Sequence, residues 1–71
     1  MDVIRIPKGQ IMARSVLTRV GDYFRVATIV NRPMGGVSEA ADFASINEAE
    51  TNAISTATRY GADVLYIEDR T

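Results

Sequence analysis

The 71-residue chain contains neither cysteine nor histidine. Without cysteine it can form no disulfide and offer no thiolate to a metal, and without histidine any metal site would have to be built from oxygen ligands. Histidine is also the usual general base, and cysteine is among the commonest activated nucleophiles. The sequence therefore predicts no catalytic residues, no metal site and no cofactor, and we expect a protein that is not an enzyme.

Long apolar runs are missing as well. No stretch of the sequence approaches the roughly 20 apolar residues that a membrane-spanning helix needs, so we predict no membrane span. The segment Met1–Pro7 lacks the basic start and long apolar stretch of a secretory signal. We therefore expect either a cytoplasmic protein or a mature periplasmic form from which a signal has been removed.

The size of the chain limits the stability that its core can provide. We predict a single domain over residues 1–71, and the 46% apolar and 24% charged residues are ordinary for a globular chain. A core of this size supplies only about 3–5 kcal/mol of net stability. Since no disulfide can reinforce it, close packing or self-association must do so, and we predict that the chain forms a homo-oligomer.

The formal net charge of −1 hides an uneven distribution along the chain. Residues 1–32 carry six basic and two acidic side chains, whereas residues 33–71 carry two basic and seven acidic ones. The simplest interpretation is internal complementarity, in which a basic sheet is covered by an acidic helix. The functional alternative is a basic face that binds an anion.

Two β-prone runs, residues 11–20 and 23–30, flank the dipeptide Gly21-Asp22. Glycine followed by aspartate between such runs is typical of a two-residue hairpin, because glycine supplies the positive φ that a type II′ turn needs at its first central position. A turn of this length places Val20 opposite Tyr23, and this first pair fixes which residues of the two strands lie opposite each other. The sequence therefore predicts both a hairpin and its register.

The predicted register sorts the hairpin side chains onto two faces. One face carries Ile11, Ala13, Leu17, Phe24, Val26 and Val30, and the other carries Met12, Arg14, Val16, Val20, Tyr23, Arg25, Ala27 and Ile29. We predict that the first is the core face. The second is too apolar to be plainly exposed to water, so we expect either a bulge that shifts the register or a second layer that covers this face.

Ser45 to Glu48 form a capping box, in which the serine hydroxyl accepts from the amide three residues on and the glutamate reaches back. We predict a helix from this cap to about Tyr60, with Gly61 just beyond its end. Its predicted buried stripe, at helical spacing, is Ile46, Ala49, Ala53, Ile54, Ala57 and Tyr60. Upstream, residues 31–36 are predicted to form a loop, and Glu39–Phe43 an extra helical turn.

Two further strands complete the predicted fold, a short one at Val3–Ile6 and a last one at Asp63–Glu68. The order is then β-β-β-α-β, an α+β domain with one helix packed on a three- to four-stranded sheet. If the last strand joins the sheet of residues 23–30, the helix should return the chain parallel to that strand.

Carboxylates are plentiful but poorly arranged for chemistry. Glu48 with Glu50, and Glu68 with Asp69, are too close in sequence to share a helix face, so we interpret them as solvated surface. Asp63 adds a third oxygen ligand near the last pair, but the three lack the spacing of a metal-binding loop.

Arg14, Tyr23 and Arg25 are the residues we single out as a candidate partner-binding site, because the predicted hairpin puts all three on one face. Arginines interleaved with an aromatic ring on a sheet can hold phosphates and stack bases. The chain has only eight basic residues, which is few for a nucleic-acid binder. Nucleic acid is therefore the less favoured partner, and the identity of a protein partner cannot be read from the sequence.

The helix and last strand also carry a family resemblance. Residues 47–50, Asn-Glu-Ala-Glu, and residues 57–67, Ala-Thr-Arg-Tyr-Gly-Ala-Asp-Val-Leu-Tyr-Ile, resemble the helix-to-strand segment of the small bacterial BhsA/McbA-like stress and biofilm family and of related small envelope lipoproteins. The resemblance covers residues 45–68 and includes the Gly61-Ala62 junction. It implies a non-enzymatic domain connected with stress or surface behaviour, and it carries over no functional residues.

Two hypotheses for function follow from the sequence. The first is a small non-enzymatic interaction domain of bacterial or phage origin that acts through self-association or a protein partner. The alternative is a weak nucleic-acid-binding accessory protein that uses the arginine-bearing hairpin.

Overall fold

The computed structural model describes residues 11–33 and 35–71. These residues form four strands and one helix: β1 Met12–Val20, β2 Tyr23–Asn31, β3 Val37–Phe43, α1 Ile46–Arg59 and β4 Val64–Asp69. The strands make one mixed sheet in the order β3-β2-β1-β4, and α1 packs on one of its faces. The predicted α+β class, with element order β-β-β-α-β and one helix packed on a three- to four-stranded sheet, is confirmed, and the sheet has four strands.

The β1–β2 hairpin has the predicted register. Val20 lies opposite Tyr23, and the antiparallel pairing continues without interruption to Met12 opposite Asn31. Gly21 adopts a φ of +59°, as the first central position of a type II′ turn requires. The two-residue turn thus decides which side chains of β1 and β2 face α1.

β3 occupies a segment that we predicted to be partly helical. Val37–Phe43 pairs antiparallel with β2, with Phe43 opposite Phe24, so the predicted helical turn at Glu39–Phe43 is wrong. The segment Glu-Ala-Ala favours a helix locally, but its side chains alternate in exposure as those of a half-buried strand do. The strand predicted at Val3–Ile6 lies outside the described residues.

Helix α1 begins and ends where its caps predict. The Glu48 amide donates to the Ser45 hydroxyl at 3.2 Å, which confirms Ser45 as the N-cap. At the other end Gly61 has a φ of +75°, its amide donates to the Thr58 carbonyl, and the Ala62 amide donates to the Ala57 carbonyl. This pair of bonds is a Schellman motif, which satisfies helix carbonyls that would otherwise lack partners.

The core lies between α1 and the facing side of the sheet. It consists of two clusters, one of Leu17, Val26, Ala49 and Ala53 and one of Ala13, Val30 and Ala57. The predicted helix stripe is correct except at Ile54, which is 55% exposed, while Thr56 is buried. Ile54 lies about 100° further around the helix than Ala53, which carries it off the buried face. Buried alanines let the helix axis approach the sheet closely.

A polar pair is buried within this core. Ser15 on β1 and Thr28 on β2 lie directly opposite each other, and their hydroxyl oxygens are 2.7 Å apart. Both residues are almost completely buried, and within residues 11–33 and 35–71 no buried side-chain polar atom lacks a partner. Neither residue was on the predicted core face, because hydroxyls are not recognisable as core from a hydropathy pattern.

β4 joins the sheet beside β1 and runs parallel to it, with Met12 opposite Val64. Since β2 is antiparallel to β1, β4 is also antiparallel to β2, and the expectation that the last strand would run parallel to residues 23–30 is wrong. The reason is β3, which reverses the chain once more before the helix begins. Two hydrogen bonds join the starts of β1 and β4. The Ile11 amide donates to the Asp63 carboxylate, and the Asp63 amide donates to the Ile11 carbonyl.

Candidate protein interface on the open face of the sheet

The face of the sheet opposite α1 is here called the open face. Its side chains, given strand by strand, are Met12, Arg14, Val16, Thr18 and Val20; Tyr23, Arg25, Ala27, Ile29 and Asn31; Ser38, Ala40 and Asp42; and Val64, Tyr66 and Glu68. Among residues 11–33 and 35–71, all strands belong to the sheet and the single helix packs on the other side. In this part of the chain nothing covers the open face.

Large apolar side chains on the open face are therefore accessible to water. Tyr23, Ile29 and Tyr66 are 58%, 49% and 56% exposed, and Val20 is also exposed. The continuous β1–β2 pairing contains no bulge that would shift the register. Of the two expectations for this face, the bulge is wrong, and a covering layer, if there is one, lies outside the described residues or in another molecule.

Arg14 sits at the centre of the open face on β1 and is paired with β4. Its guanidinium donates to a Glu68 carboxylate oxygen at 2.8 Å, and Arg70 approaches the same oxygen at 3.1 Å. The hydrogen bond from Arg14, helped by Arg70, holds the pKa of the Glu68 carboxyl below its ordinary range. Arg14 therefore has its anionic partner within the chain.

Arg25 on β2 is paired in the same way with β3. Its Nε and Nη2 donate to the two carboxylate oxygens of Asp42 at 2.8 and 3.2 Å, a bidentate arrangement. This hydrogen bonding lowers the pKa of Asp42 and raises that of Arg25. Asp42 was not recognised from the sequence as the partner, because its segment was predicted to be helical rather than the neighbouring strand.

The three residues singled out from the sequence share the open face but do not form a cluster. Arg25 lies opposite Thr18, and Arg14 lies four residues before Thr18 on β1. At the usual rise of a strand, Arg14 and Arg25 are therefore about 13 Å apart along the strand direction. Tyr23 lies beyond Arg25, at the hairpin end. The structure thus brings Arg14, Tyr23 and Arg25 to one surface, with the two guanidinium groups apart and each already paired.

Two arginines from the basic first half of the chain pair with carboxylates of the acidic second half on neighbouring strands. The arginines of β1 and β2 pair with carboxylates of β4 and β3, and the helix contributes a base rather than an acid, since Arg59 pairs with Glu39 of β3. The expected pairing within the chain is present, but the picture of a basic sheet under an acidic helix is wrong. The four ion pairs within the described residues are half-exposed, so each contributes little to stability.

The carboxylates near β4 serve separate structural purposes. Asp63 accepts from the Ile11 amide, Glu68 binds Arg14 and Arg70, and Asp69 accepts from the amide and hydroxyl of Thr71. In the described part of the chain no three acidic side chains gather as a metal site would require. These bonds show what each carboxylate does in the fold.

The described surface includes two shallow depressions near the sheet and helix faces discussed above. One, of about 520 Å³, lies at the β1–β4 end of the open face and is lined by Met12, Arg14, Asn31, Tyr66 and Glu68 among others. The other, of about 590 Å³, runs along the polar flank of α1 from Phe43 to Ser55. Of the three residues singled out from the sequence, only Arg14 lines either of them.

The chain matches no family model, no curated protein and no solved structure. Its described residues include no helix with the length and apolar character needed to cross a bilayer. What can be said of function therefore depends on the surface of the molecule itself.

Proposed function

We propose that this chain is a small non-enzymatic interaction domain whose open face binds protein, with a second copy of the chain as the first candidate partner. The observation that carries the proposal is the exposure of Tyr23, Ile29 and Tyr66 on one face of the sheet. An apolar face of this kind, framed by polar side chains, is characteristic of protein-binding surfaces.

The charges on the open face also favour a protein partner over an anion. Arg14 and Arg25 each have a carboxylate within 2.8 Å, so a phosphate would have to compete with Glu68 and Asp42 for them. Nucleic-acid binders instead present unpaired basic groups to the backbone. This pairing supports protein binding as the leading function and weakens the nucleic-acid alternative.

The non-enzymatic part of the proposal is supported by the composition, which provides neither histidine nor cysteine. The resemblance of residues 45–68 to the BhsA/McbA-like family supports a setting in bacterial stress or surface behaviour, including biofilm formation. The proposal includes a homo-oligomer, because a domain with a small core gains stability when a second copy covers exposed apolar area.

Self-association through the open face can be tested by sedimentation velocity over a range of concentrations. Ile29→Lys places a charge at the centre of this face, beside Arg14, and should weaken association of the parent at least tenfold. Ile54→Lys is the matched control, because Ile54 is similarly exposed but lies on the helix. A parent that remains monomeric at high micromolar concentration would rule out a second copy as the partner.

The nucleic-acid alternative is tested on the two arginines of the open face, and the protein-binding proposal predicts the following result. Replacing Arg14 and Arg25 with glutamine should leave binding of single-stranded nucleic acid weak, as in the parent, and should reduce stability or self-association. If the parent instead bound tightly in a salt-dependent manner, and a fully folded double variant lost that binding, protein binding would give way to nucleic-acid binding. The slope of log affinity against log salt would then flatten by roughly 0.7 per lost phosphate contact.

A further inference from the structure

The outer edge of β4 offers backbone hydrogen-bonding groups to a partner. β4 pairs with β1 on one side only, and in residues 11–33 and 35–71 no strand lies on its other side. The Arg70 amide donates to the Leu17 carbonyl at 2.8 Å, so it points towards β1. Because backbone groups alternate along a strand, the amides and carbonyls of Leu65, Ile67 and Asp69 point outward.

Over residues 64–67 the side chains on this edge are apolar on both faces of the sheet. Tyr66 is 56% exposed on the open face, and its neighbour Ile67 is 43% exposed on the helix face. The opposite edge of the sheet, β3, instead carries Glu39 on the helix face and Asp42 on the open face, each held in an ion pair. Charged side chains are the usual protection of an edge strand against pairing, and β4 lacks it over residues 64–67.

We infer that β4 pairs antiparallel with β4 of a second copy, which joins the two four-stranded sheets into one sheet of eight strands. This inference goes beyond the proposed function, because it concerns a second surface of the molecule. Antiparallel pairing of identical strands is isologous, so one two-fold axis perpendicular to the sheet generates the whole contact. The occupant is a second copy because the strand is complementary to itself.

The distribution of charge disfavours two of the possible registers. With Tyr66 opposite Tyr66 of the second copy, Asp63 would face Asp69, and with Glu68 at the centre two Glu68 carboxylates would face each other. Like charges directly opposite each other in a sheet are destabilising. The register with Ile67 at the centre avoids both, places Tyr66 opposite Glu68 of the second copy, and lets the outward amide and carbonyl of Ile67 bond to those of its counterpart.

Two substitutions at Ile67 test the pairing. Ile67→Pro removes the outward amide and leaves the inward bonds to β1, a position where an edge strand tolerates proline. Ile67→Lys leaves the backbone intact and adds a charge to the contact. Each variant should raise the dissociation constant of the parent dimer at least tenfold in sedimentation equilibrium, with an unchanged far-ultraviolet circular dichroism spectrum for Ile67→Lys. Ile54→Lys should behave as the parent.

The open-face variant Ile29→Lys separates this contact from the one proposed above. Dimers that persist in Ile29→Lys and dissociate in Ile67→Lys establish the β4 contact. Dissociation in Ile29→Lys alone overturns it and leaves association through the open face. A parent that is monomeric at all concentrations, or a folded Ile67→Lys that dimerises as tightly as the parent, likewise overturns it.

Discussion

At the scale of single residues, the buried hydroxyls of Ser15 and Thr28 depend on each other for a hydrogen-bond partner. Each hydroxyl is removed from water and has the other as its partner at 2.7 Å. A buried polar group that loses its partner pays the full cost of desolvation, whereas replacing both by apolar groups of the same shape can be nearly neutral. The pair should therefore show strong coupling.

Ser15→Ala should lower the free energy of unfolding by about 1–3 kcal/mol, because the Thr28 hydroxyl is left buried without a partner. The double variant Ser15→Ala/Thr28→Val should lose less than the sum of the two single variants, and urea unfolding of all four proteins measures the difference. Ser38→Ala, which alters an exposed hydroxyl on β3, serves as the control. Strict additivity would show that the two hydroxyls do not depend on each other.

The Arg25–Asp42 pair should make stability depend on pH in acid. The pKa of Asp42 is lower in the folded chain than its ordinary value, so the stabilisation is complete above the unfolded value of about 3.9 and is lost as pH falls through the folded value. As the pH falls below about 4, the parent should therefore lose stability more steeply than Asp42→Asn or Arg25→Gln. Urea midpoints measured against pH test this, and equal slopes in the parent and Asp42→Asn would contradict it.

The sequence predicted individual residues well where alternation and a defined turn act together. Arg14 and Arg25 were placed correctly on one face because the Gly21-Asp22 turn allows one register. Their pairing was only partly predictable, since a partner within the chain was expected for them but Asp42 was not recognised as one. The contact between Arg25 and Asp42 depends on which strand lies beside β2, and that is decided by packing across the whole sheet.

At the scale of elements, α1 has the most predictable boundaries because its caps are local. Ser45 bonds to an amide three residues away, and Gly61 closes the last turn with bonds that span at most five residues. β3 is the counterexample. The local preference of Glu39 to Ala41 for a helix is overridden once β2 offers a free edge and α1 covers Ala41 and Phe43.

Ser45→Ala should lower the free energy of unfolding by about 0.5–2 kcal/mol, because the Glu48 amide loses its acceptor at the start of the helix. Urea melts of the variant and the parent measure the loss. Ser55→Ala removes an exposed hydroxyl within the same helix and should change stability by less than about 0.5 kcal/mol. Melts of Ser45→Ala and the parent that coincide would mean that this hydroxyl does not stabilise the start of α1.

At the scale of the whole molecule, residues 11–33 and 35–71 form two layers, a sheet and a helix. The helix covers one face of the sheet, and the other keeps Tyr23, Ile29 and Tyr66 in contact with water. The sequence already indicated this imbalance, since the second hairpin face was too apolar for a solvent-facing surface. What it could not indicate was strand order, because the position of β4 beside β1 depends on contacts between residues about 50 apart.

The parallel pairing of β1 with β4 has a consequence for how the chain folds. The β1–β2 hairpin closes over a two-residue turn and can form early, whereas the bond between the Ile11 amide and Asp63 spans 52 positions. A contact between residues far apart in sequence costs loop-closure entropy before its own interactions stabilise the fold, so β4 should dock late. β1 is a central strand of the finished sheet, yet during synthesis it remains an unprotected edge until residues 64–69 have emerged from the ribosome.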